Sequence, residues 1–236
     1  MAPGPPVAMQ LSVNPPLSVS APAPVSIAPA PILAPSAHTD APTASLNRTL
    51  PPPDATFFGV AASGKRFAYV CDISGSMDKP AGDGRLRRID VLKSELVTSL
   101  NGLADNAQYF ICLFSDDAAI LDDQVAWIDA TGEGKQWASD RMKQVEAEGD
   151  TRPLRAFQVV LSLDPKPDAI YFMTDGEFER NYVREIARLN EQYHVPIHCI
   201  TFVSRKGERL MERIAEDSGG TYTHVPGVSP APANDR

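Results

Sequence analysis

From residue 66 onward, apolar blocks and amphipathic stretches alternate along the chain. Residues 66–72, "RFAYVCD", form an almost unbroken apolar run, as expected of a strand covered on both faces. Ile89, Leu92, Leu96, Leu100 and Leu103 then recur at steps of three and four, which puts one apolar stripe on a helix. "QYFICLFSD" (108–116) predicts the next buried strand, and the short "AAIL" (118–121) an edge that pairs back on it. Residues 133–148 read as a more weakly patterned helix. A further helix starts at Pro153, carries Leu154, Phe157 and Leu161, and ends at Asp164-Pro165. "DAIYFMTDG" (168–176) is a third core strand, Tyr182, Ile186, Leu189 and Tyr193 mark a helix, and "VPIHCITFV" (195–203) is a fourth strand. Leu210, Met211, Ile214 and Ala215 give a last helix, stopped at Gly219-Gly220, and "TYTHV" (221–225) closes the pattern.

Strands separated by helices of this length predict an α/β domain: a doubly wound, mostly parallel sheet with helices on both faces. In such sheets ligands gather at the carboxyl ends of the strands. Asp72 ends the first strand and Asp175 ends another, so two carboxylates are expected at one rim.

Composition sets the domain limits. Fourteen of the 22 prolines lie in residues 1–53, among Ala, Ser and Val, with no aromatic residue before Phe57. Proline fixes φ and removes backbone donors, so residues 1–55 are expected to be a disordered Pro/Ala-rich linker. The globular domain is placed at 56–228 and a short disordered tail at 229–236. The formal charge of −8 argues against nucleic-acid binding, which depends on Lys and Arg contacts to phosphate. No apolar run approaches the roughly 18 residues of a membrane span, and "MAPGPPVAMQ" has neither the basic start nor the apolar block of a secretory signal. Cys71, Cys112 and Cys199 each sit inside an apolar strand-like run. Buried free thiols in a reducing compartment are therefore expected, with the cytoplasm as default. The alternative to that default is membrane tethering through a segment upstream of the proline-rich tail.

The chemistry concentrates in "FAYVCDISGSMDKP" (67–80). A phosphate loop would need spaced glycines and a Lys-Ser or Lys-Thr pair, and Asp72 would repel the anion. Phosphoryl transfer to Asp72 would want a second acid two residues on, where Ser74 stands. No Gly-x-Ser-x-Gly elbow is present, and His194, His198 and His224 have no matching acid. Serine hydroxyls and carboxylates are hard oxygen ligands for Mg²⁺, Mn²⁺ or Ca²⁺. Asp72, Ser74 and Ser76, at alternate positions of a tight turn, can point at one centre. Two neutral hydroxyls and at most two carboxylates bring no excess negative charge to a divalent ion, and an open position on it would attract a carboxylate from outside. The competing explanation is that the three residues simply cap the following helix.

"DISGSM" (72–77) resembles the Asp-x-Ser-x-Ser signature of von Willebrand factor type A domains, which bind metal at a metal-ion-dependent adhesion site. "EGDTRPLRA" (148–156) resembles the family's threonine loop, here Thr151. "MTDGE" (173–177) resembles the loop of its last aspartate, Asp175, and "IAEDSGGTYTHV" (214–225) its usual end. The resemblance covers about residues 57–226. It implies that Ser74 and Ser76 ligate the ion directly, that Asp72 and Asp175 do so directly or through water, and that Thr151 joins in one of two loop states. It also implies a partner protein that supplies Asp or Glu to the vacant position, and no enzyme activity. Asp150 stands where a second glycine is common in that loop.

The expected function is thus divalent-cation-dependent protein binding, with a Mg²⁺-dependent phosphohydrolase as the alternative use of the same carboxylates. "SDD" (115–117) is expected to be a solvated turn near the rim, and "GRLRR" (84–88) the solvated start of the first long helix. Trp127 and Trp137 are expected to be packing residues.

Overall fold

The computed structural model describes residues 54–227 apart from 83, 123 and 125. The expected linker over 1–55, except its last two residues, and the expected tail over 229–236 lie outside the described residues. The chain enters the fold through an antiparallel hairpin, β1 (Ala55–Phe57) and β2 (Val60–Ala62). Its two-residue turn, Phe58-Gly59, has positive φ at both positions, 48° and 76°, the backbone hand that matches strand twist. The sequence pattern did not predict this hairpin, because three-residue strands carry too little alternation and phenylalanine rarely occupies a left-handed turn position.

The expected strands and helices follow. They are β3 (Arg66–Asp72), α1 (Arg88–Gly102), β4 (Gln108–Phe114) and β5 (Ala118–Ile120), with an unpredicted 3₁₀ turn at Gly75–Asp78 after β3. Next come β6 (Ile128–Asp129), a two-residue strand the sequence pattern does not predict, then α2 (Gly132–Met142), α3 (Leu154–Ser162) and β7 (Ala169–Thr174). The last are α4 (Asn181–Asn190), β8 (Ile197–Phe202), α5 (Glu208–Ser218) and β9 (Tyr222–Val225). α2 stops at Met142, short of the expected 148, because residues 145–150 run back towards the end of β3. Gly219 ends α5 in the left-handed conformation, φ 75°, and its N–H reaches Ala215 and Glu216 carbonyls.

The main sheet runs β5-β4-β3-β7-β8-β9, with β6 added beside β4. The pairs from β4 through β9 are parallel, whereas β5 and β6 are antiparallel to β4. β7 and β8 are buried at every position and β3 at every position but its first, which is why they read as continuous apolar runs. Alternate residues feed two separate layers. Phe67, Tyr69 and Cys71 pack with Leu92, Leu96 and the hairpin on one face. Ala68 and Val70 pack with Phe157, Ile186 and Ile214 on the other. The stacked rings of Tyr69 and Tyr171, 5.4 Å apart, receive the edge of Phe57 from the hairpin. The three cysteines are buried and unpaired. Trp127 and Trp137 are half-buried against the two layers. Among the described residues no helix is long and apolar enough to cross a membrane.

From β3 the chain builds outward to β4 on one side, then returns to place β7 on the other. The carboxyl ends of β3 and β7 therefore flank the point where strand order reverses, the crevice where open α/β sheets bind ligands.

Candidate metal centre

Asp72, the last residue of β3, is fully buried. Its Oδ1 accepts the backbone N–H of Ser74 at 2.7 Å, which folds the chain tightly over the strand end. Its Oδ2 accepts the Thr174 hydroxyl at 2.5 Å. The Ser74 and Ser76 hydroxyls lie 3.2 Å apart, and Ser76 Oγ donates to Asp175 Oδ1 at 2.5 Å. Asp175 follows the last residue of β7, and its carboxylate is wholly buried.

Thr151 reaches the same place from a loop stitched to two strand ends. The Glu148 N–H donates to Ile73 O at 2.8 Å, and the Gly75 N–H donates to Gly149 O at 3.0 Å. The Arg152 N–H donates to Ser115 O at 2.9 Å, and the Asp150 N–H to Asp116 Oδ1 at 3.2 Å. Gly149 has φ 77°, and a Cβ there would lie 2.6 Å from Asp116 Oδ2, so this turn requires glycine. A Cβ on Gly176 would meet Thr151 Oγ1 at 3.5 Å, Thr174 Oγ1 at 3.8 Å and Ser76 Oγ at 4.0 Å. Hydroxyls from the Thr151 loop, the end of β7 and the 3₁₀ turn thus meet beside one glycine. All five residues singled out in the sequence, Asp72, Ser74, Ser76, Thr151 and Asp175, are brought to one rim.

The simple capping explanation for the opening motif fares poorly. The 3₁₀ turn has no side-chain cap bond from Ser74, and α1 begins only at Arg88, capped through Asp90 by way of Arg87. Among the described residues no three His, Cys, Asp or Glu side chains cluster to hold a metal. A metal here would depend on hydroxyl oxygens together with two carboxylates, a hard and weakly charged donor set that fits Mg²⁺ or Ca²⁺ chemistry and not zinc.

Burial pushes the Asp72 carboxyl up to about 6. The hydrogen bonds from Thr174 and Ser74 hold it below what burial alone would give, while the charge of Asp175 adds to the rise. The charges of the two carboxylates repel in this buried rim, and a cation lies against Asp175. Arg88 Nη1 is paired with Asp175 Oδ2, and the arginine side chain is only 14% exposed. This corrects the expected solvated start of α1: of its three arginines, Arg87 faces Asp78, Asp90 and Glu146, and Arg88 turns inward.

Four residues of the rim escaped the sequence reading. Thr174 looked like ordinary strand interior, although it adjoins Asp175. Asp116, expected in a solvated turn, braces the Thr151 loop. Gly149 enters the sequence pattern only as a member of that loop. Arg88 carried one available signal: a cation in the first turn of a helix opposes the helix dipole and so implies a carboxylate partner.

No family-level sequence profile and no curated protein sequence matches this chain. Solved structures do. A von Willebrand factor type A protein from Catenulispora acidiphila superposes with a TM-score of 0.60 at 16% identity, covering 70% of this chain and 40% of that one. An aerotolerance-related membrane protein from Bacteroides fragilis gives 0.55 at 18% identity, over 69% of this chain and 92% of that one. The SpRpn10 VWA domain gives 0.53 at 10% identity, over 70% and 90%. This chain therefore spans less than half of the Catenulispora protein but nearly all of the other two. With its mostly parallel sheet, its flanking helices and its strand-end loops, the described domain has the von Willebrand factor type A fold.

Proposed function

We propose that this domain is a non-enzymatic protein-binding module that grips an acidic side chain of a partner through a divalent cation. The observation that carries the reading is the convergence of Asp72, Ser74, Ser76, Thr151 and Asp175 on one rim at the reversal of strand order. These five would hold Mg²⁺, or Mn²⁺ or Ca²⁺, and the bound ion would supply a positive centre for an incoming carboxylate. The chain's own groups do the positioning. Thr174 and the Ser74 N–H fix both oxygens of Asp72. Asp116 and Ser115 hold the Thr151 loop in place.

The surroundings suit the same kind of partner. Arg180, Arg205, Lys206 and Arg209, with Glu177 and Glu208, line a concavity next to the loop that follows Asp175. Gly207, between Lys206 and Glu208, packs so closely on Gly176 that an added Cβ would lie 2.5 Å from the Gly176 carbonyl oxygen. In a chain of formal charge −8, a basic surface beside the rim favours approach of an acidic segment.

The phosphohydrolase alternative finds less support. Asp72 is buried with both oxygens occupied, and Ser74 stands where the leaving group would need an acid. Affinity capture from native lysate tests the reading, with wild type and Asp72→Ala compared with and without chelator. Partners retained by wild type only while the ion is present, and not by the variant, are expected. Mg²⁺-dependent turnover of a generic phosphate ester, lost in Asp72→Asn, would replace the binding reading with the catalytic one.

A further inference from the structure

A cation at the first position of a helix sits at the positive end of the helix dipole, where electrostatics disfavour it. α1 begins with such a residue, Arg88, and its side chain is largely withdrawn from solvent and paired with Asp175. The segment before it is not loose. The Ala81 N–H donates to Leu86 O at 2.9 Å, the Arg88 N–H donates to Lys79 O at 2.9 Å, and Pro80 bridges to Arg87. Arg88 Nε reaches Pro80 O at 3.3 Å, which aims the guanidinium at Asp175.

We propose that Arg88 is a built-in competitor for the divalent cation: its guanidinium neutralises Asp175 and thereby sets how tightly the rim holds the ion. The inference rests on the ion-dependent reading given above. Asp175 has Arg88 on one oxygen and the hydroxyl of Ser76 on the other, so the competing cation touches the ligand set itself. With Arg88 in place, the two carboxylates present one net negative charge to an incoming ion; without it they present two. A unit charge within a few ångströms changes the binding of a divalent ion by a factor of about ten or more, even at the effective dielectric of a partly buried site. Arg87 cannot substitute, because its guanidinium is committed to Asp78, Asp90 and Glu146. Ion uptake and loosening of the Arg88–Asp175 pair are then linked, each opposing the other.

Calorimetric titration of MnCl₂ into the full chain tests this. Arg88→Gln should bind Mn²⁺ about tenfold more tightly than wild type or better. Arg88→Lys, which keeps the charge, should stay near wild type, and adding Asp72→Ala should remove binding from either background. Equal affinity in wild type and Arg88→Gln would overturn the inference and leave the ion-dependent reading standing. No Mn²⁺ uptake by either folded protein would overturn both. Should Arg88→Gln not fold, the wild type still decides the matter. Mg²⁺ should shift the Arg88 Nε–Hε resonance, identified by its loss in Arg88→Lys, and speed its hydrogen exchange. A resonance unmoved at saturating Mg²⁺ would rule the competition out.

Discussion

The Thr174 hydroxyl donates to Asp72 Oδ2 at 2.5 Å, joining the last residue of β7 to the last residue of β3 beneath the rim. Both residues are fully buried, so this bond both closes the floor of the candidate site and satisfies a carboxylate that solvent cannot reach. Replacing Thr174 with the near-isosteric valine removes the donor without opening a cavity. Thr174→Val is expected to lower stability by about 1–3 kcal/mol, the usual cost of leaving a buried polar group short of a partner. Urea denaturation should show a lower midpoint at unchanged slope. An unaltered midpoint would mean that Asp72 is held adequately by Ser74 alone.

Gly149 carries a second prediction. Its φ of 77° and the 2.6 Å approach of an added Cβ to Asp116 Oδ2 both oppose any side chain. Gly149→Ala should cost about 1–2 kcal/mol from backbone strain and crowding together. Asp116→Ala in the same chain should relieve the crowding but not the strain, measured against Asp116→Ala alone because that change also removes the acceptor of the Asp150 N–H. Full recovery in the double variant would show that the left-handed backbone contributes nothing.

The continuity of β3, β7 and β8 made the fold readable from the chain alone, because strands covered on both faces leave unbroken apolar runs. The helices were equally readable where one face is apolar, as along Leu92, Leu96 and Leu100. What failed were elements stabilised by tertiary packing alone. The hairpin survives on Phe57 against Tyr69 and Tyr171, and β6 is only two residues long. At the rim, the hydroxyl and carboxylate residues were legible because they break apolar runs at strand ends. Thr174 was hidden because threonine is at home in strands. Arg88 was hidden because nothing in "RLRR" marks which arginine turns inward, a choice made by Asp175 from 87 residues away.

pH dependence separates two buried groups of opposite sign. Burial holds the His198 imidazole below its ordinary value, so the folded state binds its proton less readily than the unfolded chain. The stability this neutral histidine contributes is fully present above about pH 6.5 and is lost as pH falls through the lower folded value. Asp72 works in the other direction: raised to about 6 from 3.8, it makes the fold more stable as pH falls through that interval. Urea denaturation in chelator at pH 7.5 and 5.5 should therefore show a smaller acid-side loss in His198→Gln than in wild type. The reverse ranking would mean that His198 is protonated in the fold, with Thr221 Oγ1, 2.9 Å from its Nδ1, accepting the proton.

The central claim is that the rim of Asp72, Ser74, Ser76, Thr151 and Asp175 holds a divalent cation. Thermal unfolding of the full chain reads it most directly, with millimolar MnCl₂ or MgCl₂ against chelator, in wild type and Asp72→Ala. An ion bound only by the folded state at about a hundredfold above its dissociation constant adds about 2.7 kcal/mol. For a domain of this size that raises the midpoint by about 5 °C or more. Wild type should show that rise, and a folded Asp72→Ala should not. A wild-type midpoint indifferent to both ions and to chelator would contradict it.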